Sequence, residues 1–293
     1  MPERAEVEVT KNDISAITSN WQLIGYKILC DKISINESQL ENAIQSHDNH
    51  LEWSCWGKRI VLRIGDYENA PHLIFGLGMT GSFTIKEADW YDKKQHPRFS
   101  LIYRDGSKIK QLVFCDVRKF GKVFFRDKED DFPKMWVFDI GPGKYPENIR
   151  IATFEKLLNR CVITRRVNKP IKSFLLDQNE FGGYGNYMAC EVLFRANIHP
   201  ETKVRDLTTE NISNIRKETF ELIDEMISLG GVTLKDFVRP NGKYGKGIEN
   251  LKVYGRRNKP CLRCNDSIEY IKLSGRGTFY CPSCQPSLIT IGK

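Results

Sequence analysis

β-Branched and aromatic residues gather in short runs between residues 59 and 126, each bounded by polar turn signals. The runs are RIVLRI (59–64), HLIFGLGMTGSFTI (72–85), RFSLIY (98–103), IKQLVF (109–114) and KVFFR (122–126). Runs of this length and make-up predict strands. Glycine is dense in FGLGMTGS (75–82), where bends or close backbone approaches are expected. This half of the chain predicts a β-sandwich. Ahead of it, Val7, Thr10, Ile14, Ile17 and Trp21 recur at helical spacing and predict an N-terminal helix. From Ile151 the period turns helical again. Phe154, Leu157, Leu158 and Cys161 fit one helix, and Ile171, Phe174 and Leu175 fit another. A longer stripe, Ile212, Ile215, Thr219, Leu222, Met226 and Leu229, stops at Gly230-Gly231, a C-terminal signal. Between the second and third helices, DQNEFGGYGNY (177–187) is too long for a tight turn, and its backbone N–H groups suit an anion. A flexible connector is the plainer alternative. Acid, Pro and Gly mix over 129–150, which reads as a linker.

Composition narrows the class. The chain has 293 residues, 40% hydrophobic and 28% charged, as in soluble globular proteins of about two domains. No apolar run nears the ~18 residues that span a bilayer, and no cationic-then-apolar leader opens the chain. The expectation is an intracellular protein, nuclear or cytoplasmic, with no membrane partner. A net charge of +8 fits a polyanionic partner and equally fits a merely basic soluble protein.

Five of the nine cysteines are scattered (Cys30, Cys55, Cys115, Cys161 and Cys190) and read as small buried apolar residues. The other four form C-x2-C-x16-C-x2-C: Cys261, Cys264, Cys281 and Cys284. Two intervening residues let one turn aim both sulfurs at a tetrahedral ion, and four thiolates close the shell of one structural zinc. Between the pairs, residues 268–271 and 278–280 predict two strands, with SGRG (274–277) as the tip. Arg276 would then sit on a metal-pinned loop, either as a solvated turn residue or as a phosphate contact. The resulting fold class is α+β and multidomain: an N-terminal β-sandwich with an N-terminal helix (1–130), a linker (131–150), a helical domain (151–256) and a zinc β-hairpin finger (257–293).

Read together and in order, these stretches resemble the formamidopyrimidine-DNA glycosylase and endonuclease VIII family of base-excision repair enzymes. MPERAEVE is similar to the family start MPEGPEVE, and WGKRIVL, LGMTGSF and DVRKFGKV follow. GGYGNYMACEVLF resembles the signature loop of the helix–two-turn–helix, and GGVTLKDF, VYGR and the zinc hairpin complete the match. Arg4 and Ala5 depart from the pattern, where a small residue and a second proline are usual.

The resemblance implies a glycosylase that also cleaves abasic DNA. With Met1 removed, Pro2 would carry a secondary amine. A free α-amino group titrates near ~8, against ~10.4 for lysine, and a helix start disfavours an added proton. That amine would attack C1′, form a Schiff base and lead to strand cleavage by β,δ-elimination. Glu3 is implied as acid/base, Lys58 as phosphate contact and proton donor, and Asn186 and Arg276 as phosphate grips on either side of the lesion. Met79, Arg118 and Phe120 would fill the emptied base stack, and Glu191 is structural. Implied partners are damaged duplex DNA, with bubble or single-stranded DNA as further substrates, and the protein acts as a monomer. The motifs GGYGNYMACEVLF, HPRF and DVRKFG place the chain nearer the endonuclease VIII-like branch, which takes oxidised pyrimidines and hydantoins, and these are the favoured substrates. The long segment 238–252 points instead to 8-oxoguanine and formamidopyrimidines. A non-catalytic damaged-DNA-binding protein and an RNA-associated zinc-ribbon protein are the readings from other classes.

Overall fold

A computed structural model describes residues 2–33, 35–46, 50–66, 70–126, 168–178 and 181–287. The predicted linker 131–150, the helix on Phe154–Cys161 and Cys161 itself lie outside them. Packing divides the chain into two compact units, Met1–Lys134 with Ile227–Lys246, and Met135–Met226 with Gly247–Lys293.

The first unit opens with helix α1 (Arg4–Thr18), which packs against strands β2 (Leu51–Trp56) and β3 (Arg59–Ile64) of a two-sheet sandwich. One sheet has the order β1-β6-β7-β5, from Gln22–Ile28, Pro97–Asp105, Lys108–Cys115 and Ser82–Glu87. The other has the order β2-β3-β4-β8, from Leu51–Trp56, Arg59–Ile64, His72–Gly76 and Lys122–Arg126. Every pairing is antiparallel. Register stacks the inner residues in rows. Phe99 faces Phe114, which faces Phe83; Cys55 faces Ile60, which faces Phe75. Phe75 lies 5.0 Å from Phe83, 5.9 Å from Phe99 and 5.7 Å from Phe114 in tilted-edge geometry, so the two sheets are joined through one aromatic cluster.

The run 72–85 is two strands in different sheets. Its glycines make the crossing: Gly81 N–H donates to Leu77 O at 2.8 Å, and a Cβ on Gly81 would sit 2.2 Å from that same oxygen. Helix α2 (Glu37–Ser46) and strands β1 and β2 lie where the sequence offers no long apolar run.

Residues 227–246, assigned by pattern to the helical domain, belong to the N-terminal unit. Polar anchors explain this. Glu6 Oε1 accepts from Val232 N–H at 2.8 Å, and Arg239 makes two hydrogen bonds to Asp13, at 2.6 and 2.7 Å.

The second unit holds α3 (Ile171–Leu175), α4 (Asn186–Arg195) and most of α5 (Thr209–Ser228), with β9 (Glu269–Leu273) and β10 (Arg276–Tyr280) in the hairpin. The stripe predicted for α5 is buried from Ile212 to Met226. Cys55, Cys115 and Cys190 are buried, as read, and Cys30 is half-buried; burial pushes the Cys115 thiol up to about 11. Among the described residues, no helix is long and apolar enough to cross a membrane.

Candidate active site and DNA-contact elements

Pro2 is buried at the mouth of α1, and Glu3 is its N-cap in extended conformation. Glu6 sits three residues on, at capping-box spacing. Its Oε2 accepts from Glu3 N–H at 2.8 Å while Oε1 holds Val232. The first turn is thus fixed from two directions by one buried carboxylate. The departure at Arg4 is absorbed without breaking the helix. Arg4 is 0% exposed, and its Nη1 meets Glu8 Oε2 at 2.7 Å; Lys11 holds the other Glu8 oxygen at 2.7 Å. The N-terminal, positive end of the α1 dipole lies beside Pro2.

Lys58 stands in the two-residue turn between β2 and β3, where Gly57 takes a positive φ of 54°. It is a turn residue preceding the strand, and half-buried. Met79 lies in the glycine-rich crossing, with Arg118 and Phe120 on the loop after β7. All three are exposed, Met79 by 36% and Phe120 by 56%, although large apolar side chains usually seek cover. The Arg118 guanidinium lies over the Phe120 ring at 5.0 Å. An exposed aromatic carrying a stacked cation suits a base stack better than a protein core.

In the second unit, Asn186 is the first residue of α4, after the N-cap Gly185. The glycine-rich loop before it is ordered by its own side chains. Gln178 Nε2 donates to Leu176 O at 3.1 Å and Tyr184 O at 2.8 Å, and the Tyr184 hydroxyl bonds Thr219 on α5. It is a shaped loop ending in helix N–H groups, the arrangement that receives phosphate. Asn186 Nδ2 donates to Gly277 O at 2.9 Å, and Lys172 Nζ donates to Asn186 Oδ1 at 2.7 Å and to Gly277 O at 3.3 Å. Asn186 and the hairpin residue next to Arg276 are therefore locked together. Lys172 is buried on the short helix α3, and no sequence signal marks it, because a lysine beside an apolar stripe reads as solvated. For Glu6, its spacing from Glu3 is the signal in the sequence that could have found it.

Arg276 is exposed but is not at the hairpin tip. The tip is Ser274-Gly275, both at positive φ, while Arg276 opens β10 opposite Leu273. A two-residue turn with both φ values positive matches strand twist, so the predicted four-residue loop closes into it. Glu191 holds α4 to the segment that leads into the zinc hairpin. Its Oε1 accepts from Val253 N–H at 2.9 Å and Tyr254 N–H at 2.8 Å, and its Oε2 from Lys252 N–H at 2.8 Å. Burial raises its pKa, and these three donors and Arg195 only partly oppose the rise. Its role is structural.

The four sulfurs of Cys261, Cys264, Cys281 and Cys284 all lie within 4.8 Å of one another. Cys261–Cys284 is 3.9 Å and Cys264–Cys281 is 3.4 Å, against about 3.8 Å for the edge of a tetrahedron with Zn–S bonds of ~2.3 Å. Donor set and spacing fit one structural zinc. Burial raises the Cys281 and Cys284 thiols, while backbone N–H groups and neighbouring thiols leave Cys261 lowered; a bound cation would supply the charge that holds the set as thiolates. The knuckle docks on α4 through Arg263, whose Nη1 reaches Phe194 O at 3.0 Å and Asn197 Oδ1 at 2.7 Å.

Comparisons with known proteins agree with this geometry. The formamidopyrimidine-DNA glycosylase N-terminal domain matches residues 1–123, its H2TH (helix–two-turn–helix) domain 140–238, and the zinc finger found in FPG and IleRS 258–286. A formamidopyrimidine-DNA glycosylase of Rickettsia africae is 33% identical over 287 residues, covering 98% of this chain and 100% of its own. One from Bacillus cereus is 34% identical over 291 residues, with 98% and 100% covered. Among solved structures, the Lactococcus lactis Fpg bound to DNA with an abasic site is 27% identical with a TM-score of 0.78, covering 97% of this chain and 100% of that one. The same enzyme with DNA containing an oxidised pyrimidine gives 27%, 0.77, 98% and 100%. The chain belongs to the formamidopyrimidine-DNA glycosylase family, DNA glycosylases of base excision repair.

Proposed function

We propose that this protein is a bifunctional glycosylase and abasic-site lyase acting through the Pro2 amine, as a monomer on damaged duplex DNA inside the cell. The observation that carries the reading is the buried start of α1, where Glu6 fixes Glu3 and the helix dipole faces Pro2. The Pro2 nitrogen bonds to C1′ as the glycosidic electron pair departs with the base, which takes up the amine proton. Glu3 protonates the ring oxygen, the sugar opens, and an iminium remains. The Glu3 carboxylate then takes the C2′ proton as the 3′ phosphate leaves, and loss of the C4′ proton to solvent in a second elimination expels the 5′ phosphate. Hydrolysis then returns the free amine. Lys58 donates protons and holds phosphate. Asn186, through its second amide N–H and the N–H groups of α4, grips the backbone with Arg276, and Met79, Arg118 and Phe120 occupy the gap left by the extruded nucleotide.

Borohydride trapping on an oxidised duplex, with mass spectrometry of the N-terminus, tests this. A covalent adduct on Pro2 is expected, and its loss in protein whose Pro2 nitrogen stays in a peptide bond with Met1. An undiminished adduct in Met1-bearing protein would refute the mechanism.

Among lesions we rank formamidopyrimidines and 8-oxoguanine first. The length of segment 238–252 and the activity named for the full-length relatives support this order. Oxidised pyrimidines and hydantoins are the second reading, favoured by the motifs GGYGNYMACEVLF, HPRF and DVRKFG. Single-turnover base release from a formamidopyrimidine opposite cytosine and from thymine glycol decides the order; faster thymine glycol release reverses it.

A further inference from the structure

Two separate loops present Met79 and the pair Arg118 and Phe120, and a single buried carboxylate joins them. Asp116, directly after β7, is fully buried. Its Oδ1 accepts from the Thr80 hydroxyl at 2.5 Å and its Oδ2 from Gly121 N–H at 2.5 Å. Its backbone also takes part, with N–H donating to His96 O at 3.0 Å and C=O accepting from Lys119 N–H at 3.2 Å. Thr80 follows Met79, and its Oγ1 accepts from Arg118 N–H at 3.0 Å. Gly121 follows Phe120. A Cβ there would lie 2.8 Å from Phe114 Cζ and 3.0 Å from Asp116 Oδ2, so the second loop closes directly onto the aromatic core.

We propose that Asp116 is the positioning residue of the DNA wedge, tying the Met79 loop to the Arg118–Phe120 loop so that the three side chains enter the duplex as one preformed unit. This rests on the reading above that those side chains fill the emptied stack. Both carboxylate oxygens face donors, and the Thr80 hydroxyl must donate to Asp116 because its oxygen already accepts from Arg118. An amide at 116 cannot reproduce this. With its oxygen on Gly121 N–H it turns an N–H toward Thr80, whose own proton then has no acceptor. Loops held in this way have lost their conformational freedom before DNA arrives, so insertion does not have to order them.

The test uses Asp116→Asn, and Thr80→Val as a milder second variant that keeps side-chain bulk on the loop. Extrusion is followed by 2-aminopurine fluorescence beside the lesion in a duplex, and Schiff-base chemistry by borohydride trapping on a single-stranded abasic oligomer, which has no stack to fill. The expected result is extrusion slowed about tenfold or more, the scale of one hydrogen bond to a charged acceptor, with trapping within about twofold of wild type. Equal losses in both assays, or unchanged extrusion in either variant, overturn the proposal. If Asp116→Asn does not fold, Thr80→Val decides alone. A wild-type protein that traps on neither substrate removes the Pro2 chemistry, and the fluorescence arm still decides the role of Asp116.

Discussion

Replacing Glu191 measures how strongly α4 is bound to the segment that leads into the zinc hairpin. The carboxylate serves three backbone N–H groups, two on Oε1 and one on Oε2. In Glu191→Gln the remaining oxygen can keep Val253 and Tyr254, but the new amide N–H then faces Lys252 N–H, donor against donor. One hydrogen bond to a charged acceptor is lost, about 1.5–3 kcal/mol. In Glu191→Ala all three donors lose their partner. Val253 is fully buried, so its N–H cannot recover water, whereas Lys252 and Tyr254 are half-exposed and recover part of theirs. An unsatisfied buried group costs about 1–3 kcal/mol, and relief of the buried charge offsets some of the total. The expected losses are about 2 kcal/mol for Gln and about 3–5 kcal/mol for Ala. Urea unfolding of the zinc-loaded protein, with hydrogen exchange at the Val253 and Tyr254 amides, reads both. A loss below about 1 kcal/mol for Ala, or a Gln variant no milder than Ala, refutes the reasoning.

Glu8→Ala takes one carboxylate partner from the fully buried Arg4 guanidinium, so it is expected to destabilise the protein in urea unfolding, and a double replacement of Arg4 and Glu8 by methionine to recover most of the loss. His199 is 7% exposed, its Nδ1 accepts from Glu201 N–H at 3.2 Å, and burial holds its pKa below the usual value. The unfolded chain therefore takes up the proton more readily, and stability falls as pH drops below about 6.5 toward the lower folded pKa. Melting temperature against pH shows this step, and His199→Gln, which keeps an acceptor, is expected to flatten it. Chelating zinc is expected to release the hairpin and with it Gly277 O, weakening duplex binding while the β-rich circular dichroism of the first unit persists; unchanged DNA affinity would contradict this.

The sequence made visible those features whose physics is local. Five apolar runs between turn signals mark the central strands, though 72–85 hides a crossing between sheets that only its glycines betray. Four cysteines at fixed spacing mark the zinc site, because tetrahedral ligation leaves a regular trace. The stripe from Ile212 to Met226 marks α5 because one helical face is buried along its whole length. Strands β1 and β2 and helix α2 have mixed burial and give no clear period. Attachment of 227–246 to the first unit depends on Glu6 and Arg239 meeting partners far along the chain, which no local pattern encodes. Lys172 and Asp116 escape for a related reason. A buried charge is recognised by what surrounds it, and the surroundings of these two come from α4 and the hairpin, and from two loops, respectively.

Glu6 gives one oxygen to the start of α1 and the other to a residue 226 positions away. The proposed nucleophile is therefore registered against a late stretch of chain as well as against its own helix. An inserted or deleted residue between α5 and Val232 would be felt at the amino terminus. Evolution can lengthen this region only where the Val232 amide keeps its place, so variation should collect beyond that point, toward the tip of the excursion.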